Sequence, residues 1–102
     1  MSEPILIVED DTTLRLTVGE FLADRGHAVA TAATAAEALA LVGKASFRLI
    51  LLDLRLPDMH GLDLLPRLRE HDPDALVVTM TAYPEVRTAV AALQAGAYDW
   101  LS

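Results

Sequence analysis

Short runs of consecutive apolar residues alternate along this chain with stretches whose apolar positions recur every three or four residues. Ile5-Leu6-Ile7-Val8 is the first run, with Pro4 before it and Glu9-Asp10-Asp11 after it. A bounded run of this kind reads as a buried strand. Leu14, Val18, Phe21 and Leu22 follow at i, i+4, i+7 and i+8, the spacing of one helix face. Asp11 or Thr12 can cap the start of that helix, and Gly26 stands where it should stop. Residues 27–32 read as a weaker second strand. Thr34 can cap a helix over Ala35–Val42, ended by Gly43. Residues 47–52 are apolar almost throughout and read as a third strand. Leu62, Leu65 and Leu68 mark a third helix. Pro66 is expected near its first turn, where a missing N–H costs least. Leu76–Met80 reads as a fourth strand. Pro84 suits the first turn of a helix over residues 84–95, stopped by Gly96, and residues 98–101 begin a fifth strand.

Strict βαβ alternation implies a parallel sheet with helices on both faces and right-handed crossovers. Strands one, three and four carry apolar residues at nearly every position, as doubly buried strands do. In open sheets of this type ligands bind beyond the carboxyl ends of the strands. The loops after strands one, three and four are therefore the places to look for chemistry.

The chain has 102 residues, one domain with room for one core. Fifteen carboxylates against eight cations argue against direct nucleic-acid binding, which needs clustered Lys and Arg to displace phosphate counterions. There is no cysteine, so no disulfide framework and no thiolate metal site. No apolar run approaches the ~18 residues of a membrane span, and no signal peptide is evident. A cytoplasmic protein is the expectation.

Glu9, Asp10 and Asp11 follow strand one, Asp53 closes strand three, and Thr79-Met80-Thr81-Ala82 closes strand four. Parallel strands put all three segments at one sheet edge. Carboxylates that close repel one another unless a cation joins them. An all-oxygen set with no His or Cys at ligand spacing suits a hard ion, and Mg²⁺ in particular, which takes one or two carboxylates and keeps water and phosphate oxygens. Asp53 can also act as a nucleophile toward phosphorus. Thr81 places a hydroxyl near it, and the small Ala82 leaves a backbone N–H approachable. Taken singly, each is an ordinary turn or cap residue; their shared edge carries the inference.

These residues resemble the response regulator receiver family of two-component signalling. Ile5 to Asp11 is similar to the first strand and acidic pair of receivers. Leu51-Leu52-Asp53-Leu54-Arg55-Leu56-Pro57-Asp58-Met59-His60-Gly61 is similar to the phosphoacceptor segment, Thr81-Ala82 to the switch threonine and its small neighbour, and Gly96-Ala97-Tyr98-Asp99-Trp100-Leu101 to the fifth-strand entry. The resemblance implies a flavodoxin-like, CheY-like doubly wound sheet in the order 2-1-3-4-5. It implies that Glu9, Asp10, Asp53 and the backbone carbonyl of Arg55 hold Mg²⁺. Asp53 would accept the phosphoryl group from a sensor histidine kinase. Thr81 and the Ala82 N–H would contact that group, and Trp100 would serve as the switch aromatic. Arg55 and Tyr83, two residues past Asp53 and Thr81, would influence the acyl-phosphate lifetime. Thr81-Ala82-Tyr83, Thr88-Ala89-Val90 and Gly96 to Asp99 are most similar to receivers of the NtrC type. Those precede an ATPase module that activates sigma-54 polymerase and a DNA-binding domain.

The family places a lysine after the fifth strand, and this sequence stops at Ser102, one position short of it. Lys44, the sole lysine, precedes strand three. It belongs at the opposite sheet edge, roughly 17–20 Å away. The chain is therefore expected to be a receiver lacking its lysine and last helix, weakened in phosphorylation and inclined to self-associate. His27, His60 and His71 are expected to be surface residues. Two other functions compete. A haloacid-dehalogenase-like phosphatase needs a second carboxylate two residues after the nucleophile, where Arg55 stands. A phosphorylation-independent interaction module remains the alternative to a switch.

Overall fold

The computed structural model describes residues 3–80 and the backbone of residues 99–101. The elements run β1 (Ile5–Val8), α1 (Thr12–Asp24), β2 (Val29–Ala32), α2 (Ala35–Val42), β3 (Leu49–Asp53), α3 (Gly61–His71), β4 (Leu76–Met80) and β5 (Asp99–Leu101). The five strands form one parallel sheet in the order β2-β1-β3-β4-β5. This is the doubly wound arrangement expected from the sequence. The helix read over residues 84–95 lies outside the described residues.

Strand residues alternate between the two faces, as a period of two requires. Leu6, Val8, Ile50, Leu52 and Val77 point to one side. There they meet Ala35, Ala38 and Val42 of α2 and Leu64, Leu65 and Leu68 of α3, with Phe47 completing a buried core. Ile5, Ile7 and Leu51 point to the other side, against Val18 and Leu22 of α1.

Alpha1 departs from the expected face. Leu14 and Phe21 are exposed, and only Val18 and Leu22 pack on the sheet. Gly19 lies on the sheet-facing side as well, with Ile7 Cδ1 3.8 Å and Val29 Cγ1 3.9 Å from where a Cβ would stand, ordinary van der Waals distances. Phe21 is left outside, with the Arg25 guanidinium stacked on its ring 3.5 Å from the centroid.

Asp11, rather than Thr12, caps α1, its carboxylate accepting from Leu14 N–H at 2.9 Å. Thr34 caps α2 as expected, accepting from Glu37 N–H at 3.1 Å. Gly26 adopts φ +86° after α1, a conformation that glycine takes at little cost. Pro66 is a correction. Because α3 begins at Gly61, Pro66 falls in its second turn and removes the N–H that would bond the Leu62 carbonyl. The side chain is exposed, so the missing bond lies on the solvent side.

Candidate functional site

The carboxyl edge of the sheet is built by register. Val8 pairs with Leu52, so the residues that follow, Glu9 and Asp53, emerge side by side. Glu9, Asp10 and Asp53 each bring a carboxylate oxygen within 4.8 Å of the others'. Glu9 and Asp53 are buried, at 4% and 7% exposure, whereas Asp10 is open to solvent. The three acids singled out in the sequence are thus in one place.

Backbone groups hold them there. The Asp11 N–H donates to Glu9 Oε2 at 3.2 Å, and the Arg55 N–H donates to Asp53 Oδ1 at 3.1 Å. The Glu9 N–H reaches the Ala32 carbonyl at 3.0 Å, tying this loop to the end of β2. Burial and the neighbouring Asp53 carboxyl push Glu9 from 4.5 up to about 8. The metal-free cluster therefore favours the protonated form of Glu9 more than an exposed glutamate would. A cation bound between these oxygens would replace that proton.

Arg15, overlooked in the sequence, and Gly61, named there only as part of the phosphoacceptor segment, shape the site. Arg15 comes back from the first turn of α1. Its Nη1 donates to the carbonyls of Glu9 at 2.9 Å and Asp10 at 3.4 Å. It braces the acidic loop through its backbone, placing positive charge behind the carboxylates. Gly61 is needed where α3 starts, because an added Cβ would lie 2.6 Å from Leu54 Cα and 2.9 Å from the Asp53 carbonyl oxygen. Only glycine lets the helix start this close to the end of β3. The spacing of Gly61 from Asp53 hinted at this, but its physical cause is a contact visible only in the fold.

His60, expected to be a plain surface residue, is exposed but caps α3, with Nδ1 accepting from Leu62 N–H at 3.0 Å. His27 is half-buried and hydrogen-bonds Arg48 through Nδ1. His71 is exposed. Lys44 lies in the connection before β3, at the edge away from Asp53. Thr81, Ala82 and Tyr83 lie outside the described residues. Trp100 is described only in its backbone, in register with the buried Thr79.

The family model for the response regulator receiver domain matches residues 5–102. This chain belongs to that family. The receiver is 45% identical over 97 residues to the alginate biosynthesis transcriptional regulatory protein AlgB of Pseudomonas aeruginosa, covering 95% of this chain and 22% of AlgB. It is 36% identical over 97 residues to the DNA-binding transcriptional regulator NtrC of Azospirillum brasilense, covering 95% of this chain and 20% of NtrC. The chain thus spans about a fifth of the length of these relatives. A crystal structure of a response regulator from Burkholderia pseudomallei, with a phosphorylated aspartic acid, a calcium ion and citrate, matches with TM-score 0.94 and 35% identity. That match covers 98% of this receiver and 59% of that chain. The likeness to NtrC agrees with the subfamily expected from the sequence.

Proposed function

We propose that this receiver is a phosphorylation switch in which Asp53 accepts a phosphoryl group from a sensor histidine kinase. Mg²⁺ would be held by Glu9, Asp10, Asp53 and the backbone carbonyl of Arg55. The supporting observation is the convergence of three carboxylates, two of them buried, within 4.8 Å at one sheet edge. The ligand atoms are all oxygen, and burial together with the Asp53 carboxyl disfavours the charged form of Glu9, a penalty that a hard divalent ion relieves. Such an ion supplies charge neutralisation between an anionic donor and an anionic nucleophile.

The chemistry assigned to the chain itself is narrow. An oxygen of Asp53 attacks phosphorus, a P–O bond forms, and the P–N bond of the kinase phosphohistidine breaks. The imidazole leaves with the electron pair. The Arg55 N–H orients the Asp53 carboxylate through Oδ1. Thr81 and the Ala82 N–H are assigned to the phosphoryl oxygens, and Trp100 to the rotamer change that reports it. The receiver would work in the cytoplasm and control an output module in a longer protein. By likeness to NtrC this is an ATPase of the sigma-54 activator type with a DNA-binding domain. Self-association through the α1 side of the sheet completes the proposal, since Leu14, Leu16 and Phe21 are exposed there.

Incubation with acetyl phosphate and Mg²⁺, followed by intact-mass measurement, tests the switch. One phosphoryl adduct on the wild type and none on Asp53→Asn is the expected result. No adduct on the wild type, with the kinase as donor as well, would leave the phosphorylation-independent interaction module as the better reading.

A further inference from the structure

The segment between Asp53 and α3 is not a free loop. Its neck is closed by the Gly61 N–H, which donates to the Leu54 carbonyl at 2.8 Å, and by a bridge between Arg55 and His60. Leu56 and Met59 pack against the core from within it. Its tip is tied to a different part of the chain. Asp58 Oδ1 accepts from the Ala35 N–H at 2.9 Å, and Asp58 Oδ2 accepts from the Ala36 N–H at 3.0 Å. These are free amides of the first turn of α2, where helix N–H groups have no internal partner and a carboxylate is favoured. The two amides, Ala35 first, hold the Asp58 carboxyl below its usual range. Thr34 and Glu37 already cap this helix by themselves. Asp58 is therefore not needed to start α2. Its distinctive effect is to join two segments 22 and 23 residues apart in sequence.

The joined segments lead to the two sides of the acidic site. Alpha2 follows β2, whose last residue accepts from the Glu9 N–H. The loop carrying Asp58 also carries Arg55, whose N–H orients Asp53. We propose that Asp58 is a positioning residue for the metal-binding end of the site. By clamping the β3–α3 loop to the start of α2, it fixes Arg55 relative to Glu9 and Asp53. This rests on the reading of Glu9, Asp10, Asp53 and the Arg55 carbonyl as the Mg²⁺ ligands. Partners that orient ligands in this way typically change metal affinity by about ten- to a hundredfold when removed.

Calorimetric titration with Mg²⁺ tests it on the wild type, Asp58→Ala, Asp58→Asn and Asp72→Ala. Asp72 is the control: a buried carboxylate at the opposite edge that accepts from the Phe47 N–H. Asp58→Ala should weaken Mg²⁺ by about tenfold, and Asp58→Asn should recover part of the loss through its remaining oxygen. Asp72→Ala should lower the melting temperature while leaving Mg²⁺ affinity within about twofold of wild type. Should Asp72→Ala fail to fold, Asp72→Asn takes its place. Amide exchange without metal gives a separate readout. The Arg55 N–H should exchange faster in Asp58→Ala and keep its wild-type rate in the Asp72 variant. Wild-type Mg²⁺ affinity and Arg55 exchange in Asp58→Ala would overturn the proposal. So would an equal loss of affinity in both alanine variants. Absence of Mg²⁺ binding by the wild type would instead overturn the ligand assignment, and the Arg55 exchange rates would still judge the clamp.

Discussion

Both edges of this sheet bury carboxylates that accept from a backbone N–H, and they differ in what else those carboxylates face. At the amino edge Asp72 is 7% exposed. One of its oxygens accepts from the Phe47 N–H at 2.6 Å, pinning the start of the third βα unit beside the end of α3. At the carboxyl edge Glu9 and Asp53 are as deeply buried, yet their carboxyls face each other and Asp10. The first arrangement exchanges solvation for a backbone donor and holds the fold together. The second sets acid beside acid, and burial first, with the Asp53 carboxyl after it, raises Glu9. Burial alone therefore does not mark a functional carboxylate. What marks it is burial beside other acids, even where each carboxylate also has a backbone donor.

Four experiments bear on that contrast, beginning with the largest expected effect. Asp53→Asn should abolish acyl-phosphate formation completely while the chain stays folded, since the amide removes a negative charge from the cluster; circular dichroism and intact mass check both halves. Next is pH. Glu9 has its folded pKa raised from 4.5 to about 8. Its protonation thus contributes stability to the metal-free protein that is fully present below about pH 4.5 and is lost as pH rises through about 8. Glu9→Gln should flatten that decline in urea titrations across the same window, and saturating Mg²⁺ should oppose it in the wild type. A decline of unchanged slope in Glu9→Gln would assign the effect to another group.

Asp72→Ala should cost about 1–3 kcal/mol by leaving the buried Phe47 N–H unpaired, measured as a shift in urea midpoint with unchanged slope. Asp11→Ala should cost only about 1 kcal/mol, the usual value of a helix cap. Because Asp11 also gives its N–H, not its side chain, to Glu9, the pH profile should keep its shape in that variant. A changed profile would mean that the α1 cap sets the Glu9 carboxyl.

The two faces of the sheet show how far sequence patterns carry. On the α2/α3 side, of the positions read from periodicity in α3, Leu65 and Leu68 are buried and Leu62 packs half-buried against the same core. On the α1 side half of the stripe holds: Val18 and Leu22 pack on the sheet, whereas Leu14 and Phe21 are exposed. Periodicity marks which positions share a helix face; it does not fix which part of that face meets the sheet. Pro66 was misplaced because the start of its helix was. Nothing local marks Gly61 as the first residue of α3 except its tight approach to Leu54, and His60 is an uncommon cap.

The order of strands and helices, and with it the sheet edge that holds Glu9, Asp10 and Asp53, was written in the sequence itself. Apolar runs and helical spacings are local, and parallel connection sends every strand's carboxyl end the same way. The tertiary structure alone decided which carboxylates oppose one another and which backbone N–H groups reach from distant segments. Asp72 meets Phe47 across 25 residues, Asp58 meets Ala35 across 23, and Glu9 meets Asp53 only because β1 and β3 pair in one particular register. Hydrogen bonds and charge repulsion act over a few ångströms. Their partners are set by packing and register, to which distance along the chain is no guide.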